Sequence, residues 1–238
     1  MKGVIASRAP GIPVVDVTHD VPPQNVVIGA VALRAAARYF PKGTVHVAVV
    51  DPGVGTARRA VCIDTTEALF VGPDNGVLSL AAPPDRVRRA VEIANPGVIL
   101  SPTSATFHGR DVFAPAAAAL ASGLPMAALG PSLAGIAALA VPTPVQEAKA
   151  TRGEVVYVDR FGNLATNLDA TILPAEVDHV EIASHRAIGF VRAYAEGPRH
   201  ALVALLNSWG VLEIALRDGD ARAVLGVGVG AAVTVVGR

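Results

Sequence analysis

The chain has 238 residues, with 20 acidic and 20 basic side chains, hence no formal net charge, and a hydrophobic fraction of 52%. That length suits one large domain or two small ones with a substantial core, and without a concentrated basic face no nucleic-acid partner is expected. The single cysteine, Cys62, lies in the apolar run 60–63, which excludes an intramolecular disulfide and argues against a zinc cluster.

Residues 1–5 show no basic-then-apolar signal pattern, so a cytoplasmic protein is expected. Residues 12–17 read as extended and 26–39 as helical, with Pro22-Pro23-Gln24-Asn25 as the polar cap and Pro41 as the stop. Residues 45–50 form an apolar run that the following Pro52-Gly53 must end, 60–64 read as a second strand, and 114–121 as a helix. This alternation predicts an α/β domain with a mostly parallel sheet over residues 1–140. The uncharged tract 112–145 is interrupted by Pro115, Ser122, Pro125, Pro131 and Ser132, short of a membrane span, so no membrane partner is expected.

Pro142 and Pro144 interrupt both periodicities, which places a linker at 141–150. Beyond it, 153–159, 180–183, 201–207, 212–216 and 232–236 are short apolar runs separated by turn residues. They predict an all-β domain over 151–238, a small barrel. Gly226, Gly228 and Gly230 lack the strand-turn-helix setting of a dinucleotide loop and read as a turn before the last strand.

Two runs carry chemistry in the first domain: Asp51-Pro-Gly-Val-Gly-Thr-Ala-Arg58-Arg59 and Thr106-Phe107-His108-Gly109-Arg110-Asp111. They set a carboxylate, a guanidinium and an imidazole beside glycine-rich turns, with Asp51 at a strand's carboxyl end, where open α/β sheets place their ligands. His46, inside an apolar strand, reads as a core histidine, and His19 as a turn residue or a support for the site. His179, His185 and His200 lack metal-ligand spacing, so no metal is expected.

With Asp16-Val-Thr18-His19-Asp20-Val-Pro22-Pro23, Pro73-Asp74-Asn75-Gly76, Asp159-Arg160-Phe161-Gly162-Asn163 and Asn207-Ser208-Trp209-Gly210-Val-Leu-Glu213, these runs resemble the S-adenosyl-L-methionine (SAM) hydroxide adenosyltransferase family, relatives of the fluorinating and chlorinating enzymes. The resemblance spans nearly the whole chain. It implies a two-domain homotrimer with sites between one subunit's N-domain and its neighbour's C-domain, acting on a small molecule without a cofactor. It implies that Asp51, Arg58 and His108 hold a water that displaces methionine from ribose C5′, giving adenosine and L-methionine. The seven-residue offset from Asp51 selects Arg58 over Arg59. Thr106, Phe107 and Gly109 would shape the C5′ pocket, Asp159 and Asn163 bind the methionine ends, Phe161 pack on the nucleoside, and Asn207, Ser208 and Trp209 meet the adenine. Read alone, Gly162 and Asn163 equally suit a tight loop, and Trp209 suits interface packing.

The sulfonium is already a good leaving group, so the task is to deliver a poor nucleophile. A gap of about twelve pKa units separates water from an ordinary carboxylate, so proton removal must accompany bond formation. General-base help supplies about 10²–10⁴-fold and in-line placement roughly 7–11 kcal/mol, which makes positioning the larger factor. The family pattern also carries an earlier strand and a ribose-binding Asp upstream of Met1-Lys2-Gly3. Without that contact, binding weaker by roughly 1.5–3 kcal/mol, and so weaker activity, is expected. Two other readings compete: a non-catalytic adenosine- or SAM-binding oligomer, and halide-dependent adenosyl transfer. The Asp51, Arg58 and His108 set, which halogenating relatives replace, favours water as the nucleophile.

Overall fold

A computed structural model describes the backbone of residues 1–238 and the side chains of all but residues 186 and 187. The described residues divide into two compact units, 1–140 and 141–238. No described helix is long and apolar enough to cross a membrane.

The first unit opens with helix α1 (Lys2–Arg8) and continues through α2 (Val26–Ala37), β1 (Thr44–Val47), β2 (Ala60–Asp64), β3 (Ala68–Pro73), β4 (Arg89–Glu92) and α3 (Ala114–Ala121). The Asn25 side chain accepts from the Ile28 amide at 3.0 Å, satisfying one of the donors that a helix start leaves open, so the cap lies where its polar residue stands. The sheet runs β1–β3–β2–β4, and both its faces are covered. Cys62, Val71 and Val91 pack with Phe113 and Leu129 on one side, while Val61, Ile63 and Phe70 pack with Leu33 and Val77 on the other. Burial on both faces is why these strands read as continuous apolar runs rather than alternating ones.

The expectation of a mostly parallel sheet is corrected here. β1 and β3 are parallel, but β3–β2 and β2–β4 are antiparallel. Only Thr65, Thr66 and Glu67 separate β2 from β3, whereas a parallel crossover needs about a dozen residues. Thr65 closes the hairpin, its hydroxyl donating to the Ala68 carbonyl at 3.0 Å and accepting from the Ala68 amide at 3.1 Å. Residues 12–17, expected as a strand, join no sheet, and Ile12, Val14, Val15 and Val17 remain exposed.

The second unit contains β5 (Val145–Gln146), β6 (Ala150–Val158), β7 (Leu164–Asp169), β8 (Val177–Ile182), β9 (His185–Phe190), β10 (Leu202–Leu206), β11 (Val211–Leu216), the short helix α4 (Ala221–Leu225) and β12 (Ala232–Gly237). The strands follow the order β12–β8–β9–β10–β11–β7–β6, and β6 pairs back onto β12, so they close into a barrel. β5 adds to β6 beside that closure. The barrel core holds Val155, Leu164, Leu168, Val180, Ile182, Leu212, Ile214 and Val235. Closure pairs the edges that an open antiparallel sheet would leave exposed. Gly226, with φ of 65°, ends α4 in the left-handed region, and the following glycines lead into β12.

Candidate active site

β1 delivers the first functional segment. Its pairing with β3 extends one step beyond the strand, through the Ala48 amide on the Val71 carbonyl, before the chain turns at Asp51-Pro52-Gly53. Thr56 folds this loop back on itself, its hydroxyl donating to the Gly53 carbonyl at 2.7 Å. Gly55 has φ of 79°, and a Cβ there would sit 2.6 Å from the Ala105 carbonyl oxygen. Only glycine therefore allows this loop to lie against the segment that leads to His108.

That contact brings the predicted trio together. Arg58 Nε donates to Asp51 Oδ1 at 3.1 Å and Nη2 to Asp51 Oδ2 at 2.5 Å, the paired geometry a guanidinium makes with a carboxylate. The same Nη2 lies 3.0 Å from His108 Nδ1, and Nη1 donates to the Arg59 carbonyl at 3.0 Å. The Arg58 and Asp51 side chains are 7% and 6% exposed, so the pair is buried. The Phe113 ring lies 5.5 Å from the guanidinium carbon and supports it from one side.

Arg59 goes elsewhere. Its Nε donates to Asp74 Oδ2 at 2.9 Å and Nη2 reaches the Gly135 carbonyl at 3.2 Å, while Asp74 Oδ1 accepts from the Ala137 amide at 2.7 Å. The neighbouring arginines thus divide the work: Arg58 faces the trio, and Arg59 ties the Asp74 turn to the 135–137 segment.

His108 starts a helical run whose first turn, 109–113, is π-helical before α3 takes over. Such turns recur at functional sites. Asp111, buried in that turn, accepts from the Ser104 amide at 2.8 Å and from Arg110 Nε at 2.6 Å. Arg110 and the Ser104 amide hold the Asp111 carboxyl below its ordinary range by favouring the charged form. Asp111 therefore pins the loop before His108 to the turn after it. Gly109 is half-buried, while Thr106 and Phe107 are exposed, Phe107 by 58% with Arg110 over its ring.

In the second unit, Asp159 and Asn163 meet each other. Asp159 Oδ1 accepts from the amides of Phe161 and Asn163 at 2.8 and 2.9 Å, and Oδ2 accepts from Asn163 Nδ2 at 3.0 Å. The carboxylate thus builds its own loop. Phe161 is 61% exposed. Gly162 has φ of 81°, and a Cβ there would overlap Asp220, whose side chain caps α4. Asn207, Ser208 and Trp209 form the β10–β11 turn. Asn207 Oδ1 accepts from the Trp209 amide at 2.9 Å, and the Trp209 ring lies 5.3 Å from that of Tyr157.

The other histidines stay outside this geometry. His46 is buried between Phe40 and Phe70, and burial lowers its pKa. His19 is exposed beside Asp16. Among the described residues no three His, Cys, Asp or Glu side chains group as metal ligands. The Cys62 thiol is pushed up to about 12 by burial and so is unreactive.

Profiles of the SAM hydroxide adenosyltransferase N-terminal and C-terminal domains match residues 1–130 and 153–234. The chain belongs to this family. It is 44% identical to a Thermus thermophilus protein named (R)-S-adenosyl-L-methionine hydrolase, over 99% of this chain and 92% of that protein. A Salinispora arenicola protein of the same name is 43% identical, over 94% of this chain and 87% of its own length. The solved structure of a conserved protein from Thermotoga maritima superposes with a TM-score of 0.90 at 36% identity, covering 99% of this chain and 93% of that one.

Sequence reasoning about this family member left three side chains without a part: Asp111, Tyr194 and Glu213. Tyr194 donates to Glu213 Oε1 at 2.5 Å, and Glu213 is 6% exposed. The signal for Glu213 was present as a single acid inside the otherwise apolar run Val-Leu-Glu-Ile-Ala-Leu. Nothing local marked Tyr194.

Proposed function

We propose that the chain hydrolyses (R)-S-adenosyl-L-methionine to adenosine and L-methionine, the activity in the names of its relatives. One observation carries the reading: Arg58 Nη2 sits between Asp51 Oδ2 at 2.5 Å and His108 Nδ1 at 3.0 Å. A guanidinium can only donate, so His108 Nδ1 accepts and the neutral ring carries its proton on Nε2. This divides the roles. His108 offers a donor from Nε2, and Asp51, anchored by Arg58, offers acceptor lone pairs.

A water that donates to Asp51 and accepts from His108 Nε2–H keeps a lone pair free for C5′. As the oxygen–C5′ bond forms, the C5′–sulfur bond breaks, its electron pair stays on sulfur, and methionine leaves as a neutral thioether. The water proton passes to Asp51 and then to solvent, so each turnover releases one proton. Orientation carries most of the acceleration, up to roughly 7–11 kcal/mol.

The further roles follow the family pattern: Thr106, Phe107 and Gly109 shape the C5′ pocket, and Asp159, Asn163, Phe161, Asn207, Ser208 and Trp209 bind substrate. The reading takes the working protein as a cytoplasmic homotrimer with sites between subunits. Its partner is a small molecule, and it uses no cofactor, metal, nucleic acid or membrane.

The test is to incubate the 238-residue chain and its Asp51→Ala variant with SAM and quantify products by chromatography. Equimolar adenosine and methionine, lost in the variant, are expected. Adenosine binding without turnover would instead mark a non-catalytic oligomer, and a 5′-chlorinated nucleoside formed with chloride would mark a halogenating enzyme.

A further inference from the structure

Asp74 and Asn75 form a turn at the end of β3, beside the segment that carries β1 to Asp51. β1 ends at Val47, and its pairing with β3 goes one step further through the Ala48 amide on the Val71 carbonyl. A Cβ at Gly72 would overlap the Ala48 carbonyl oxygen, so the two chains run in close contact to this point. Beyond it the ladder stops, and the Val50 carbonyl, the last backbone acceptor before Asp51, needs another donor.

Asn75 supplies it. Its Nδ2 donates to the Val50 carbonyl at 2.8 Å, and its Oδ1 accepts from the Val77 amide at 3.1 Å. Each end of the side-chain amide meets the partner its chemistry requires, which fixes its orientation. One residue earlier, the Asp74 amide donates to the Arg59 carbonyl at 3.0 Å, the same oxygen that accepts from Arg58 Nη1 at 3.0 Å. Two successive residues of one turn therefore hold the chain just before Asp51 and just after Arg58. The turn is held from behind as well: Asp74 Oδ1 accepts from the Ala137 amide at 2.7 Å, and Ser79 Oγ donates to the Gly76 carbonyl at 2.8 Å while accepting from the Leu139 amide at 2.9 Å.

We propose that Asn75 is a positioning residue of the hydrolytic site, which through the Val50 carbonyl fixes where Asp51 leaves the sheet. The proposal rests on the functional reading above, in which Asp51 orients the attacking water. Asn75 acts through the backbone and meets no reacting atom. A carboxylate that takes a proton as the oxygen–C5′ bond forms tolerates little displacement, and misplacement by about 1 Å costs about 10²-fold. Substrate is held by other residues, so the loss falls on kcat.

Three variants separate this role from mere stability. Asn75→Ala removes both side-chain bonds. Asn75→Asp keeps the acceptor for the Val77 amide but sets an acceptor against the Val50 carbonyl, where a donor stood. Thr65→Ala loosens the hairpin at the opposite end of β3 and leaves this turn untouched. Adenosine release against SAM concentration and a thermal melt are measured for each. In both Asn75 variants kcat is expected to fall about tenfold or more with KM within about threefold, whereas Thr65→Ala melts earlier and keeps kcat within about threefold.

Wild-type kcat in both Asn75 variants, a KM raised beyond that margin, or the same kcat loss in Thr65→Ala overturns the proposal. A loss confined to Asn75→Ala also overturns it, marking a residue that only builds its own turn, as does one confined to Asn75→Asp, marking an effect of the added charge. Should Asn75→Ala fail to fold, Asn75→Ser replaces it under the same expectations, since its hydroxyl can accept from the Val77 amide but is too short to reach the Val50 carbonyl. A wild-type chain that does not turn over SAM refutes the functional reading alone. Hydrogen exchange across residues 51–58 then decides: faster exchange in the Asn75 variants than in Thr65→Ala is expected, and equal protection overturns the positioning role.

Discussion

Replacing Arg58 by lysine keeps the charge and removes the fork. The lysine nitrogen stands about one bond short of the position Nη2 occupies, and it offers one point where the guanidinium offers an edge. Of the contacts Arg58 makes, an ammonium can keep one to Asp51. It gives up either the 3.1 Å or the 2.5 Å bond of the pair, together with the 3.0 Å link to His108. The lost carboxylate bond is worth about 1.5–3 kcal/mol and the link to the neutral ring about 1 kcal/mol. If about 3 kcal/mol of this is expressed in the transition state, kcat falls about 10²-fold. Because the charge remains, Asp51 is not left buried and unpaired, and the penalty of about 3–5 kcal/mol for breaking such a pair is largely avoided. The assay is adenosine release under saturating SAM, with a thermal melt to confirm folding. Arg59→Lys serves as the control, since Arg59 reaches Asp74 and not the trio. A folded Arg58→Lys enzyme with kcat within threefold of wild type, or equal losses in both variants, would refute the reasoning.

Further outcomes follow from individual contacts. His108→Asn places Oδ1 where Nδ1 accepts from Arg58 but has no group at the Nε2 position, so KM stays near wild type while kcat drops about tenfold or more in steady-state kinetics. Gly55→Ala forces a left-handed backbone and a Cβ 2.6 Å from a carbonyl oxygen, which should cost about 1–3 kcal/mol in urea unfolding and lower turnover by parting the loop that carries Asp51 and Arg58 from the one that leads to His108. His179 has its pKa raised by the carboxylates of Asp178 and Glu181, at 2.8 and 3.2 Å. Its contribution is therefore complete below the unfolded value of about 6.5 and fades as pH rises through the higher folded value, so the melting difference between wild type and His179→Gln should shrink from pH 6 to pH 8.

The sequence made some elements legible because their cause is local. β2 (Ala60–Asp64) and α3 (Ala114–Ala121) fall on the ranges their apolar runs predict, and α2 starts at its Asn25 cap. Sheet direction was not legible from helix–strand alternation, since it depends on what fills each connection. The three residues between β2 and β3 were the signal that mattered, and they allow only a hairpin. Residues 12–17 carry strand-forming side chains, but a strand is defined by its partner, and none of the described strands pairs with them.

At the site the same division holds. Arg58 and Arg59 are chemically equal neighbours, and only spacing separates them in the sequence. The structure separates them by destination, because the Asp74 turn takes up Arg59 and leaves Arg58 to Asp51. Asp159 looked like a ligand for a charged group, yet both its oxygens already accept from within its own loop. What it can offer a ligand is therefore its remaining lone pairs at a fixed orientation. Asp159→Asn would therefore disturb the loop as well as remove the charge. Glu213 is the opposite case: its place between Leu212 and Ile214 is visible, but its burial depends on a distant segment folding over the outer barrel face. A buried acid on an outward strand position thus identifies, better than any local motif, where a second layer of chain must lie.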